Sequence, residues 1–98
     1  MIVEYNGKNI VGKSLLYFYA NWSSNCNIHL DAIKRIEYEN PNIVILKINT
    51  TKYHDMKVKY SINKIPTFIV LDENSNIISR INGYKDQYSL SKWVKLNY

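Results

Sequence analysis

The join between Ser14–Ala20 and the segment after it limits this chain to few folds. SLLYFYA is a continuous apolar and aromatic run of strand length, without the alternation of a half-exposed strand. Such a run suits a strand covered on both faces, as in a parallel sheet. Ser23, Ser24 and Asn25 follow, and all three are side chains that accept backbone N–H bonds at helix N-termini. Cys26, Leu30, Ile33 and Ile36 then recur at helical spacing, with Asp31, Lys34 and Arg35 elsewhere on the wheel. Pro41 sets the stop near Asn40. A second apolar run, Ile43–Asn49, completes a βαβ unit and implies a right-handed parallel crossover.

The remaining elements read around that unit. Ile2–Tyr5 is a short strand, and Asn6-Gly7-Lys8-Asn9 is a turn signal after which Ile10-Val11 is expected to pair back as a hairpin. Lys52–Tyr60 is a short helix. Thr67–Asp72 and Ile77–Asn82 are strands joined by a polar turn, and Gly83 ends the second. Tyr88–Leu96 closes the chain as a helix, with Leu90, Trp93 and Val94 on one side. The order ββαβαββα predicts an α/β fold of three layers, a central mixed sheet of four or five strands flanked by helices. With 98 residues, 46% of them apolar, the chain supports one core and is read as a single domain over residues 1–98.

Composition narrows the functional classes. No apolar run is long enough to span a bilayer, and Met1–Tyr5 lacks the basic lead and apolar core of a signal peptide. One cysteine allows no internal disulfide. Both points suit the cytoplasm or another reducing intracellular compartment, with a virion also compatible. The net charge of +5 comes from lysines spread along the chain. Ile, Asn, Lys and Tyr, all abundant, have A/T-rich codons, so the basic balance says little about partners. Lys57, Lys59 and Lys64 form the densest group and read as a solvated face. Neither nucleic acid nor membrane is expected as a partner.

Three anchors at familiar separations make the chain, from about Ser14 to Leu96, resemble the thioredoxin family. They are Phe18-x-Ala20-x-Trp22 ending the first central strand, Tyr60–Thr67 (YSINKIPT) leading into a proline loop, and Gly83 after the last strand. Lys47 matches a strand lysine of the family. The head is short: 13 residues precede the central strand, and the Asn-Gly-Lys turn resembles the hairpin entry of nucleoredoxin- or tryparedoxin-like relatives. The expected fold is a trimmed thioredoxin.

The resemblance implies a site with two thiols at a helix N-terminus, one attacking a substrate disulfide and one resolving the mixed disulfide. Ser23 stands at the attacking position and Cys26 at the resolving one. A serine hydroxyl forms no disulfide, and Ser23 also fits as a helix cap. Burial raises a thiol pKa from its usual value of about 8.5 while a helix dipole lowers it, so the net sign at Cys26 is open. The acid that many family members bury before the motif is replaced by Tyr17, which leaves Lys47 to bond Tyr17 or reach water.

Trp22, Ile65, a cis Pro66 and Gly83 would form the surface on which an extended substrate docks. Cys26 and His29 make a Cys-x-x-His pair, two ligands where a metal site needs three or four. No metal or other cofactor is expected, and His29 reads as a core or boundary histidine.

Two functions follow. One is a thiol–disulfide oxidoreductase that is inactive as written, Ser23 being an introduced replacement for cysteine. Its partners would be a protein or peptide thiol or disulfide, and an upstream thioredoxin reductase or glutathione. The alternative is a naturally redox-silent module that binds a protein or peptide through the Trp22 and Pro66 surface.

Overall fold

The computed structural model describes residues 1–21 and 26–98, with the side chains of residues 26–28 outside that description. The elements are β1 (Ile2–Glu4), β2 (Ser14–Tyr19), α1 (Cys26–Glu39), β3 (Ile45–Asn49), α2 (His54–Lys59), β4 (Thr67–Leu71), β5 (Ile77–Asn82) and α3 (Gln87–Asn97). The sheet order is β1-β3-β2-β4-β5. β1 and β2 each run parallel to β3, while β4 runs antiparallel to β2 and to β5. This is the mixed sheet that the element order predicts.

Alternation along the strands sorts the apolar side chains onto two faces. Leu15, Tyr17, Phe68 and Val70 pack on one face against Ala32, Ile33 and Ile36 of α1 and Leu90 and Val94 of α3. Leu16, Phe18, Ile69 and Leu71 pack on the other against Met56 of α2, Tyr60 and Ile62. The central strands are buried on both sides, which is why SLLYFYA and TFIVL carry no polar alternation.

α1 ends where Asn40 turns back, its Nδ2 donating to the Ile36 carbonyl at 2.9 Å. Ile43 N–H donates to the Asn40 carbonyl at 2.9 Å, so that residue belongs to the turn and β3 begins two positions later than the apolar run suggests. α3 starts on Asp86, whose carboxylate accepts the Ser89 N–H at 2.7 Å. Glu39 ties the two helices together, accepting the Ser91 hydroxyl at 2.7 Å on its side chain and the Lys95 ammonium at 2.7 Å on its carbonyl.

The expected hairpin at the head does not form. β1 pairs with β3, in register Ile2↔Ile45 and Glu4↔Lys47, and Ile10 and Val11 lie in no strand. The reason is directional. β1 and β2 both run parallel to β3, so the chain between them must return from one end of the sheet to the other. Gly7 and Gly12, at φ +91° and +84°, turn it at either end. Ile10 packs partly against the second core cluster and Val11 is exposed.

Candidate functional site

One end of the sheet gathers three of the predicted site residues, Ile65, Pro66 and Gly83. The ladder pairs Phe18 with Thr67 and Thr67 with Asn82, so the exit of β2, the entry to β4 and the exit of β5 stand side by side. The Ile65-Pro66 peptide is cis. Gly83 N–H donates to the Pro66 carbonyl at 2.6 Å, and Thr67 Oγ1 donates to the Lys64 carbonyl at 2.6 Å. These bonds fix the loop Lys64–Pro66 against Gly83. Ile65 is half-buried and leans on the second core cluster.

Gly83 has a specific reason to be glycine. Its φ is +101°, and a Cβ there would stand 3.0 Å from Lys64 Cε. The methylenes of Lys64 therefore lie across the glycine, with the ammonium at the surface beside it. The next residue, Tyr84, meets His29 of α1 edge-on, ring centroids 5.1 Å apart. That contact brings the first turns of α1 to the Gly83 loop. His29 is buried, as a core or boundary histidine should be, and burial holds its imidazole below its ordinary pKa.

Ile65, Pro66 and Gly83 are thus brought together. Cys26 opens α1, and its side chain lies outside the described residues, as do Trp22 and Ser23 entirely. Among the described residues no cluster of three or more His, Cys, Asp or Glu side chains is placed to hold a metal ion.

Tyr17 and Lys47 occupy one row across the sheet, Glu4↔Lys47↔Tyr17↔Phe68. Tyr17 is fully buried and stacked between Tyr19 and Phe68, at centroid distances of 5.5 and 5.4 Å. An aromatic column therefore fills the place where the resemblance puts a carboxylate. Lys47 does not lack an acid, contrary to expectation. Its Nζ lies 3.7 Å from Glu4 Oε1 and 5.0 Å from the Tyr19 ring centroid. Tyr19 hydroxyl donates to Glu4 Oε2 at 2.7 Å. Burial first, then this bond and the Glu4 charge, push the Tyr19 phenol well above its ordinary range.

Glu4, Tyr19 and Tyr84 escape a reading of the sequence for different reasons. Glu4 meets Lys47 only because β1 takes the edge position beside β3, a choice no local pattern encodes. Tyr19 reads as one more apolar residue of a buried run. Tyr84 has a faint signal, its place directly after Gly83.

A mixed sheet with helices on both faces, and a cis-proline loop beside the exit of the first central strand, defines a thioredoxin-like α/β fold. The thioredoxin family model matches residues 5–96, and the chain belongs to the thioredoxin family. Thioredoxin of Chlamydia caviae is 26% identical over 93% of this chain and 88% of its own length. A peptide-N(4)-(N-acetyl-beta-glucosaminyl)asparagine amidase of Caenorhabditis briggsae is 31% identical over 76% of this chain. The chain spans 12% of that amidase's length, and 32% of the length of another relative, monothiol glutaredoxin-4 of Schizosaccharomyces pombe. Among solved structures, thioredoxin-2 of a malaria parasite superposes with a TM-score of 0.78 at 23% identity, covering 96% of this chain and 92% of that one, a likeness of fold.

Proposed function

We propose that this chain is a thioredoxin-type module for protein thiols and disulfides that docks an extended segment at Ile65, Pro66 and Gly83, with Trp22 completing the surface. Ser23 holds the attacking position and Cys26 the resolving one, so the chain as written docks without turning over. The observation that carries this reading is the placement of the cis-proline loop between the exits of β2 and β5, through the Phe18↔Thr67 pairing on one side and the Gly83–Pro66 bond on the other. The residue before that proline is free of the β4 strand and can pair with an added strand.

Insulin disulfide reduction driven by a dithiol tests it. The chain should show no turnover, and Ser23→Cys should restore at least part of it. In that variant the thiolate introduced at position 23 would attack the substrate disulfide, form a mixed disulfide and expel one substrate thiolate. Cys26 thiolate would then attack the mixed disulfide, expel the second, and leave a disulfide between positions 23 and 26 for the dithiol to reduce. A dithiol stands in for the reductase or glutathione that the family implies. A folded but inactive variant would sink the oxidoreductase reading.

The buried Tyr17 favours a second reading, a redox-silent binding module. A tyrosine stacked between two rings is a poor proton acceptor for a thiol. Under that reading, partner retention would survive substitution of Cys26 and be lost on substitution of Trp22 or Ile65.

A further inference from the structure

We infer that the docking surface selects acidic segments: the occupant that fits it is an extended stretch of a partner protein carrying carboxylates on the side that faces Gly83. The inference rests on the docking reading above and names the substrate class of that surface.

The observations lie around Gly83. An open depression of about 200 Å³ is lined by Lys64, Ile81, Asn82, Gly83, Tyr84 and Lys85. Its two charged members are both cationic and both exposed. The Lys64 methylenes lie across Gly83, and its Nζ stands 3.2 Å from where a glycine Cβ would be.

The described ion pairs involve Glu37, Glu39 and Glu4, and none reaches Lys64 or Lys85. The acid next in sequence, Asp86, feels the Lys85 charge, but its carboxylate already accepts the Ser89 N–H at the start of α3. Arg80 adds positive charge behind the rim, bonding Asn82 Oδ1 at 3.1 Å and the Tyr60 carbonyl at 2.7 Å.

An extended chain running past Ile65 would cross this rim, and its carboxylates would find two exposed ammonium groups that form no ion pair with the described residues. Complementary charge of this kind sets partner choice and encounter rate more than raw affinity. Two exposed pairs together give roughly a five-fold gain.

The test is fluorescence anisotropy with the full chain and two labelled decapeptides. Both carry a central Val; one has two flanking Gln, the other two Glu in their place. The Glu peptide should bind about five-fold more tightly at low salt, with the advantage lost near ~1 M salt. Lys64→Glu or Lys85→Glu should abolish or reverse the preference, while Lys8→Glu at the opposite edge of the sheet should keep it. Circular dichroism checks that each variant folds.

Equal binding of both peptides, lost in Ile65→Asp, would leave docking standing and overturn the acidic preference. An equal effect of Lys8→Glu would reduce the preference to net charge and overturn it as well. Binding of neither peptide would sink the docking reading and this inference together. Tighter binding of a single-stranded oligonucleotide than of the Glu peptide would overturn the peptide as the occupant.

Discussion

His29 and Tyr84 meet edge to face, their ring centroids 5.1 Å apart, and this contact joins the first turns of α1 to the loop after Gly83. The histidine is buried, and that burial favours its neutral form. In the unfolded chain it would titrate at its ordinary value of 6.5. The unfolded state therefore binds more protons than the folded state just below that pH. Stability from this group is complete above 6.5 and is lost as pH falls toward the lower, folded value. The melting temperature should drop between about pH 7.5 and pH 5, and His29→Phe should flatten that part of the profile. An unchanged profile in the variant would show that His29 does not sense pH.

Gly83→Ala should be costly chiefly through its backbone. The backbone sits at φ +101°, and the new Cβ would stand 3.0 Å from Lys64 Cε. The conformational part alone is about 1–2 kcal/mol, and the end of the Lys64 side chain can shift to relieve the contact. Denaturant titration should show this loss. A change under about 0.5 kcal/mol would mean the loop relaxes to another conformation.

Tyr17→Asp will not cheaply rebuild the family's acid. The ring is fully buried and stacked on Phe68 at 5.4 Å. Its replacement leaves a cavity and puts a carboxyl among apolar side chains, a loss of about 3–5 kcal/mol. Equilibrium unfolding measures it, and a variant as stable as the parent would overturn the packing argument.

Ser14→Ala should go the other way. Ser14 Oγ is buried at the start of β2 and has no hydrogen-bond partner among the described residues. Removing the hydroxyl relieves a desolvation cost of about 1 kcal/mol. A higher midpoint of denaturation with an unchanged slope is the expected result, and a lower one would show that the hydroxyl stabilises the fold.

Glu4→Gln should act on Tyr19 more than on the fold. Glu4 accepts the Tyr19 hydroxyl at 2.7 Å and lies 3.7 Å from Lys47, yet its side chain is about half exposed. Stability should change by less than about 1 kcal/mol. The Tyr19 phenol should ionise at lower pH than in the parent, because the negative charge that opposes its ionisation is gone. Tyrosinate absorbance during alkaline titration reads the difference, and identical curves would sever the pair.

The elements and their order are written in the residue pattern. SLLYFYA and TFIVL lack polar alternation because their strands are covered on both faces, and hydrophobic burial enters the sequence directly in that form. The Ile65-Pro66 loop and Gly83 were legible for the same kind of reason, since proline and glycine report backbone needs that few other residues meet.

Which strand lies beside which is settled by packing across the whole sheet. The head joins β3 in parallel rather than folding back on itself, because that register seats Ile2 against the core and Glu4 opposite Lys47. Pairings such as Glu4 with Lys47, Lys64 with Gly83 and His29 with Tyr84 depend on neighbours distant in the chain. A local pattern fixes which face a side chain takes, whereas its partner across the sheet is set by the free energy of packing the whole core.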